Sequence, residues 1–437
     1  MKKLLPWILL YIVFLITLIF TKELTCDEIW MYGFANNISQ GMVPYRDFNI
    51  VVTPLYPFIL SIPLLIWNNL LMIYLIQSAL FTGMYYLLYQ ILNKKIIVLL
   101  LLPFMFLDFF FTPQYNTLAL FLLVAIYYSE SRNNDKTTGL LLGLSILTKQ
   151  TIGGFLTIAS LIIHRKEKDK LKKIIIWELF PLVLFLIYLL ITNSLIPFLD
   201  YCLFGLFDFA GSNQLKSIVT ILVFIAIFIH TFYIIKKSNN KLNYYFPFFY
   251  IIAIPILDLT HLQFVIFAYI FLLVKETKRK IPKQIIIALI VGAIDVQIVA
   301  IVHLINPIFP NNINHYEYKI MNSVIQEKTH IVNKYMDKHK DIKIIFLDYT
   351  AYYIKMQRDE KIDIFDLTLT GNNGYHGSDK IIKRIKKLDK DKTYYFIDNT
   401  QNKETSTMQY DFKVIDYIKE HGEIIDYLNN YSIYKIK

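Results

Sequence analysis

Ionisable side chains open a polar segment that lies between two strongly apolar ones near the start of the chain. Asp27 and Glu28 directly follow a hydrophobic run, and Arg46 and Asp47 lie farther along the same segment, Thr25 to Pro54. A carboxylate can act as a general base that takes a proton from a hydroxyl group. Because ionisable residues are costly to place at a membrane boundary, this segment is a candidate functional site.

Two basic side chains elsewhere could stabilise negative charge. Lys149 ends a glycine-spaced apolar stretch, and His261 lies three residues after Asp258. A cation placed against a group that gains negative charge during a reaction stabilises that charge. Each residue also has a simpler interpretation. Lys149 could be a basic residue that snorkels at a helix end, and His261 could be an interfacial histidine with satisfied hydrogen bonds.

Several other polar residues stay open as contributors. Asp108 lies near the outer end of an apolar run, where a buried carboxylate needs a partner. Asp200 and Asp208 could contact a polar acceptor or could simply be solvated. Cys26 and Cys202 could form a bridge, but two unrelated thiols are the favoured interpretation.

The sequence lacks the motifs of several other chemistries. Gly371-Asn372-Asn373-Gly374 is a turn signal, since no Lys-Ser or Lys-Thr pair follows it as in a phosphate-binding loop. The histidines and cysteines have no zinc-like spacing. The sequence therefore indicates no metal site and no required cofactor, and a divalent cation has no support.

Composition sets the broad class of protein. The chain has 437 residues, of which 55% are hydrophobic and 16% aromatic, and its mean hydropathy is +0.44. Soluble domains are usually about 45–50% apolar, so this is a polytopic membrane protein. The net charge of +11 does not indicate nucleic-acid binding, because the basic residues form short clusters between apolar runs. That pattern is typical of cytoplasmic membrane loops.

A helix needs about 20 apolar residues to cross the hydrocarbon core of a membrane. The runs that could cross it are Leu4 to Phe20, Leu70 to Leu92, Ile96 to Phe111, Tyr115 to Ser129, Gly139 to Ile163, Ile174 to Thr192, Ile218 to Ile235, Tyr244 to Ile256, Leu262 to Val274 and Ile285 to Ile305. Placing the basic clusters in the cytoplasm predicts about eleven crossings. The N-terminus is then cytoplasmic, the first run is a retained anchor, and the C-terminus lies outside.

The positions of the basic clusters also predict two irregular elements. Gly139 to Ile163 must leave the cytoplasm and return, so we expect two short helices hinged near Thr148 to Thr151, with Lys149 at the outer boundary. Pro54 to Trp67 should start and finish outside as a re-entrant or interfacial element.

Within the first outer loop, apolar residues recur at helical spacing from Trp30 to Ile38, and Gly41 follows as a helix stop. The spacing predicts an amphipathic helix on the membrane surface. Asp27 stands where an N-cap belongs, which would explain it without catalysis. A cap and a general base are not exclusive roles. Glu28 in the first turn likewise suits the helix dipole.

From about Asn311 the chain becomes charged and alternates short strands with helices. The predicted strands are Ile342 to Asp348, Tyr394 to Asp398, Glu423 to Leu428 and Tyr431 to Ile436, and the predicted helices are Asp379 to Leu388 and Asp411 to Glu420. Residues 311–437 therefore form a small soluble α/β domain, which we expect on the outer face.

Three stretches together resemble one enzyme family. The Asp-Glu pair after the first span, the helix closed by Gly41, and GMVPYRDF resemble the first outer loop of GT-C glycosyltransferases. GLLLGLSILTKQT, Gly139 to Thr151, is similar to that family's glycine-spaced helix ending in Thr-Lys, and Asp258-Leu259-Thr260-His261-Leu262 is similar to its Asp-x-x-His-Leu. These polytopic enzymes take sugar from a polyprenyl phosphate and include the protein O-mannosyltransferases and lipid A aminoarabinose transferases. The resemblance covers about residues 1–306.

This resemblance implies a polytopic α-helical GT-C architecture, with a transmembrane catalytic domain at 1–306 and its first outer loop at 21–53. It implies Asp27 as the catalytic base, with Glu28 as the second catalytic candidate, and Lys149 as a ligand of the donor phosphate. Arg46 and His261 are predicted to lie at the same membrane interface and to contact that phosphate as well. Supporting or acceptor-contacting roles fall to Asp47, Asn116, Asp108 and Asp258. Some relatives have Asp where this chain has Asn116, which puts a second acid in doubt. Arg46 could instead simply pair with Asp47.

The implied partners are a polyprenyl-phosphate sugar donor, a lipid, glycan or protein acceptor, and the bilayer of the plasma membrane. Inversion of the sugar is favoured, because one base and direct displacement suffice. A transporter or lipid flippase is the main alternative, since it also needs polar residues and broken helices around a cavity. The acidic residues argue against a transporter, because they are predicted to lie at one face of the membrane and not near its midplane. A non-catalytic envelope-assembly protein on the same scaffold is the third interpretation.

Overall fold

The computed structural model describes residues 4–20, 26–93, 114–207, 218–254, 257–277, 323–347, 374–399, 412–428 and 431–437. The chain divides into two compact units, each assembled from three stretches of sequence. The first unit contains Met1–Lys22, Thr53–Tyr188 and Gln214–Asn311, and the second contains Glu23–Val52, Leu189–Asn213 and Asn312–Lys437. The first outer loop therefore belongs to the same unit as the C-terminal residues.

Helices dominate the chain before residue 311. In chain order they are α1 (Leu5–Phe20), α2 (Cys26–Ser39), α3 (Leu55–Leu64), α4 (Leu70–Leu92), α5 (Tyr115–Ser131), α6 (Asp135–Thr148), α7 (Gln150–His164), α8 (Lys168–Ile191), α9 (Leu195–Leu199), α10 (Ile218–Lys237), α11 (Tyr245–Phe249) and α12 (Leu259–Glu276). A π-helical turn, Asp200–Phe204, continues α9, and 3₁₀ turns at Lys241–Tyr244 and Tyr250–Ala253 flank α11. Most of the predicted apolar runs coincide with one of these helices.

Among the described residues, three helices are long and apolar enough to cross a membrane, namely α4, α8 and α10. Shorter apolar helices include α3 and α7. The predicted runs Ile96 to Phe111 and Ile285 to Ile305 lie outside the described residues. The predicted count of about eleven crossings is therefore not confirmed, whereas the mostly helical membrane architecture is.

The predicted hinge between two short helices is confirmed. Lys149 alone separates α6 from α7, and its extended backbone, with φ −153° and ψ 106°, breaks the helix. Glycines let the helices approach closely. A Cβ on Gly153 would lie 2.2 Å from the Ile146 nitrogen, and a Cβ on Gly139 would lie 2.2 Å from the Ile174 carbonyl oxygen of α8. The glycine spacing of this stretch therefore serves backbone packing.

Two other irregular elements are shorter than a membrane span. α3 has 10 residues, so it is about 15 Å long, half of the hydrocarbon thickness. This agrees with the expectation that Pro54 to Trp67 does not cross. The run predicted as a span from Tyr244 to Ile256 is instead a chain of short helical turns around α11.

A buried polar network joins the ends of α5, α7 and α8. The Glu130 carboxylate accepts a hydrogen bond from the Tyr245 hydroxyl at 2.9 Å and lies 2.8 Å from His164 Nε2. Lys170 Nζ lies 3.3 Å from the other oxygen of Glu130. Because a buried carboxylate is costly unless it is paired, these contacts fix how the helix ends meet.

The C-terminal residues form the predicted α/β fold. Its helices are α13 (Ser323–Lys338), α14 (Gly377–Ile385) and α15 (Phe412–His421), and its strands are β1 (Lys343–Phe346), β2 (Thr393–Asp398), β3 (Gly422–Leu428) and β4 (Tyr431–Ile436). The sheet order is β1-β2-β4-β3, in which β1 and β2 are parallel and the other two pairs antiparallel. All four predicted strands and both predicted helices are present, whereas α13 was not predicted.

Alternate residues of the sheet pack on its two faces. Ile345 packs with Ile381 and Val414 of α14 and α15, whereas Ile344 packs with Val332 of α13. Successive side chains of a strand point to opposite faces, so this alternation places α13 on one face of the sheet and α14 and α15 on the other.

Candidate functional site

The first candidate acids lie in the first turn of α2. The helix begins at Cys26, so Asp27 and Glu28 are its second and third residues. The prediction that Asp27 is an N-cap is therefore wrong. Negative charge in a first turn is still favourable, because the helix dipole leaves partial positive charge there. Glu28 is fully buried, whereas Asp27 is partly accessible, as a base that meets an incoming hydroxyl must be.

The surroundings of α2 differ from the prediction of a simple surface helix. Its polar residues Glu28, Asn36 and Asn37 are buried, and of the predicted apolar stripe Met31 is buried, whereas Trp30, Phe34 and Ile38 are half-buried. A helix that lies between protein and water would keep its polar residues exposed. The polar side of α2 is therefore covered by protein, and sequence periodicity alone could not show which side is covered.

The turn after α2 is held by its own side chains. Gly41, at φ +81°, ends the helix as predicted, and Met42 N–H donates to the Asn37 carbonyl at 3.0 Å. Tyr45 is also left-handed, with φ +70°, which is a strained conformation for a bulky residue. Its hydroxyl donates to the Val52 carbonyl at 2.9 Å, and this buried bond helps to hold the strained turn.

Arg46 is engaged within the second unit. Its guanidinium makes two bonds to Asp47, at 2.8 and 2.9 Å, and donates to the Thr192 carbonyl at 3.3 Å. Asp47 in turn accepts from Val43 N–H at 2.7 Å. The Thr192 carbonyl lies just after the end of α8, where a cation is favoured by the helix dipole. These contacts support the simpler interpretation, in which Arg46 pairs with Asp47 and shapes the loop.

Lys149 is held at the break between α6 and α7. Its Nζ donates to Asn116 Oδ1 at 3.1 Å and lies 5.1 Å from the centre of the Tyr115 ring. Asn116 is buried, and its amide nitrogen donates to Gln114 Oε1 at 3.0 Å. The start of α5 therefore presents a fixed acceptor and an aromatic face to the ammonium. Asn116 was among the residues predicted for the site, whereas Gln114 and Tyr115 were not, although the run Gln-Tyr-Asn at a helix start is a recognisable polar signal.

The backbone around Lys149 adds to this positive charge. α7 begins at the next residue, and the side chain of its N-cap residue, Lys149, does not cap it. The start of a helix carries partial positive charge and is suited to an anion. The Gln150 side chain accepts from Thr53 N–H at 3.3 Å, and the Thr53 hydroxyl donates to the Ile146 carbonyl at 2.7 Å. These bonds fix the start of α7.

His261 is oriented by an acid on its own helix. Asp258 is the N-cap of α12, and its Oδ1 accepts from His261 N–H at 2.8 Å and lies 2.7 Å from His261 Nδ1. A proton on Nδ1 satisfies this bond, which leaves Nε2 as the nitrogen directed elsewhere. Asp258 is thus both a cap and the residue that sets the ring orientation.

Contacts between helices position Lys149 within the first unit. α5 and α7 run parallel, since Asn116 bonds to Lys149 at their starts and Glu130 bonds to His164 at their ends. α5 also packs against α12, where the Tyr127 ring lies 5.5 Å from the Phe271 ring.

The candidate residues therefore divide between the two units. Lys149, Asn116, Asp258 and His261 belong to the first, and Asp27, Glu28, Arg46 and Asp47 belong to the second. Asp108 and Asp208 lie outside the described residues. Within the part of the chain that the structure describes, no group of three or more His, Cys, Asp or Glu side chains could hold a metal ion.

Cys202 is a buried thiol, and the interpretation of Cys26 and Cys202 as two unrelated thiols stays a prediction. Asp200, the other loop acid considered above, forms an ion pair with Lys380 of the C-terminal domain. A contact between the loop and a domain so distant in sequence had no signal in the sequence.

Comparison with known proteins places this fold. Two crystal structures of ArnT from Cupriavidus metallidurans, one bound to undecaprenyl phosphate and one in the apo state, are similar to the chain, each with a TM-score of 0.63 and 8% sequence identity. The similarity covers 99% of this chain and 98% and 97% of those chains. No family model and no curated protein matches the chain. The likeness shows the fold, and at that level it confirms the resemblance to GT-C glycosyltransferases.

Proposed function

We propose that this protein is a membrane glycosyltransferase that transfers a sugar from a polyprenyl-phosphate donor to an acceptor on the extracytoplasmic face. The observation that carries the proposal is the oriented Lys149 ammonium at the start of α7. It occurs in a fold shared with ArnT, which was crystallised with undecaprenyl phosphate. A polyprenyl phosphate has the apolar tail and anionic head that suit a cationic group at a membrane boundary.

Lys149 binds the donor phosphate in this proposal. When the bond between the anomeric carbon and the phosphate oxygen breaks, both bonding electrons leave with the oxygen, and the phosphate gains negative charge. The ammonium and the first N–H groups of α7 stabilise that charge. Asn116 and Tyr115 keep the ammonium in place, and the His261 ring, set by Asp258, is a second ligand of the phosphate in this proposal.

Asp27 acts as the general base. It takes the proton from the acceptor hydroxyl, and the resulting oxygen attacks the anomeric carbon from the face opposite the phosphate, which inverts the configuration. A base of this kind contributes about 10²–10⁴-fold to a rate. Glu28, fully buried in the same turn, fixes the start of the helix that carries Asp27. The acceptor is a lipid, glycan or protein of the cell envelope.

Two variants of the purified full-length protein test these roles. The assay follows transfer from a polyprenyl-phosphate hexose or pentose to an envelope extract, and donor binding is measured separately. Asp27→Asn should lower kcat by about 10²–10⁴-fold and keep donor affinity. Lys149→Met should weaken donor binding by about 10–100-fold, the cost of a lost charge-assisted hydrogen bond.

Matched controls separate these roles from a general effect of charge. Asp169→Asn and Lys166→Met change exposed residues in the connection between α7 and α8 or at the start of α8, and both should behave as the parent protein. Unchanged transfer by Asp27→Asn would exclude it as the base. If the parent protein moves donor lipid between leaflets of a vesicle without transferring sugar, the protein is a flippase and the proposed function is wrong.

A further inference from the structure

A short helical segment follows α8 directly. It runs Leu195–Phe207, and the sequence places only three residues between it and the end of α8. Asn193 is left-handed at φ 53°, and Ser194 N–H donates to the Leu189 carbonyl at 2.9 Å, which closes α8 and turns the chain. Since α8 is long and apolar enough to span a membrane, the segment begins at the membrane boundary.

One side of this segment is an exposed apolar stripe. It consists of Ile196, Leu203, Phe204 and Phe207, whose spacing of 7, 8 and 11 residues places them on one helical face. Ile196 is 73% exposed and Phe207 71% exposed. On the opposite face, Cys202 and Gly205 are buried. Large apolar side chains grouped on one face are a sign of an interaction surface.

The other side of the segment binds two parts of the second unit. The Cys202 thiol donates to the Ile50 carbonyl at 3.7 Å, and the Phe198 ring packs edge-on against Tyr45 at 5.2 Å, so the segment holds the first outer loop. Asp200 forms an ion pair with Lys380 of the C-terminal domain.

The turn before α14 is shaped to receive Asp200. Gly374 is left-handed at φ +82°, and a Cβ there would lie 2.7 Å from an Asp200 carboxylate oxygen. At the edge of the apolar stripe, the half-exposed Phe204 ring also lies 6.4 Å from the Tyr375 ring. The segment therefore contacts both the first outer loop and the C-terminal domain.

We propose that the Leu195–Phe207 segment is an interfacial anchor, and that its apolar stripe is inserted into the bilayer at the boundary between headgroups and acyl chains. The stripe continues an apolar surface that is already exposed on the last turn of α8, at Leu190 and Ile191. Lipid is the solvent for the exposed residues of a membrane span, and an amphipathic helix that follows a span closely meets the same lipid. The anchor holds the first outer loop and the C-terminal domain to the membrane surface.

This inference goes beyond the proposed function and does not depend on it, since lipid contact is measured without any transfer reaction. A spin label is attached to Ile196→Cys or Phe207→Cys in the full-length protein, reconstituted in phosphatidylcholine vesicles. Cys26→Ser removes one native thiol. Burial raises the pKa of the Cys202 thiol to about 12, so it stays protonated and unreactive. Tyr427→Cys, on exposed strand β3, is the matched aqueous control.

Collisions of the label with oxygen, which concentrates in lipid, and with a water-soluble nickel chelate report its surroundings. At positions 196 and 207 the ratio of oxygen to nickel collisions should be several-fold higher than at 427. A ratio equal to that at 427 would show that the stripe faces water and would overturn the inference. A label that collides with neither reagent would also overturn the inference, because a second copy of the chain would then cover the stripe. An oxygen collision rate that falls when undecaprenyl phosphate is added would also overturn the inference, because the stripe would then bind the polyprenyl chain of the donor.

Discussion

At the scale of single residues, Lys149 is oriented by a neutral partner. A carboxylate at position 116 would hold the ammonium more strongly, but it would also compete with a bound phosphate for the same charge. The amide of Asn116 supplies the acceptor without that competition. It is itself fixed by Gln114, so the geometry of the ammonium is set before any ligand arrives.

Substitutions at Asn116 test this argument. Asn116→Ala removes the acceptor and should weaken binding of a polyprenyl-phosphate donor by about tenfold, the usual effect of one lost hydrogen bond to a charged group. Asn116→Asp keeps the acceptor and adds a negative charge, so it should weaken donor binding more than Asn116→Ala does. Titration of the purified protein with donor measures both constants. If Asn116→Asp binds donor as tightly as the parent protein, competition for the ammonium does not occur there.

Arg46 differs from Lys149, because its side chain bonds to a carboxylate, that of Asp47. Its predicted role was to bind phosphate, and its guanidinium contacts Asp47 and the Thr192 carbonyl. A planar guanidinium can make several such bonds at once, which a lysine ammonium does less well. These contacts join the loop that carries Asp27 to the residues just after α8, and phosphate binding by Arg46 stays a prediction.

At the scale of elements, the hairpin of α6 and α7 depends on close backbone contact. Gly153 faces the Ile146 backbone at a distance that leaves no room for a Cβ, whereas the adjacent Gly154 has nothing within 4 Å of that position. Gly153→Ala should therefore force the helices apart and destabilise the protein by about 1–3 kcal/mol, the usual cost of overpacking. Gly154→Ala, the matched control, should be neutral or slightly stabilising, because Ala favours helix. Thermal unfolding in detergent measures both, and equal melting temperatures would contradict this packing argument.

The sequence predicted elements well where a strong local signal existed. The break at Lys149 followed from the placement of basic loops, and the strands of the C-terminal domain followed from alternation of apolar residues. Burial around α2 was not predictable, because it depends on which elements cover its polar side. The left-handed Tyr45 had no local signal either, since a bulky residue disfavours that conformation by about 1–3 kcal/mol and only its surroundings hold it there.

At the scale of the whole molecule, each of the two compact units is assembled from three separate stretches of the chain. The first outer loop and the residues after α8 belong to one unit with the C-terminal domain, although residues 53–188 and 214–311 separate the three stretches in sequence. Contacts of Arg46 with Thr192 and of Asp200 with Lys380 join these stretches within that unit. A loop assembled in this way is held by long-range contacts, so its stability depends on the C-terminal domain being folded.

The predicted topology places two parts of the chain on opposite sides of the membrane. The connection after α7 carries several Lys and Arg residues and should be cytoplasmic, and the C-terminal domain should be outside. Lys166→Cys and Tyr427→Cys place single exposed thiols on these two parts, in a chain that also carries Cys26→Ser. In intact cells, a membrane-impermeant maleimide should label the thiol at 427 and reach the thiol at 166 only after permeabilisation. Labelling of both thiols before permeabilisation would contradict the predicted topology. Labelling of the thiol at 166 alone would reverse it and would place the C-terminal domain in the cytoplasm.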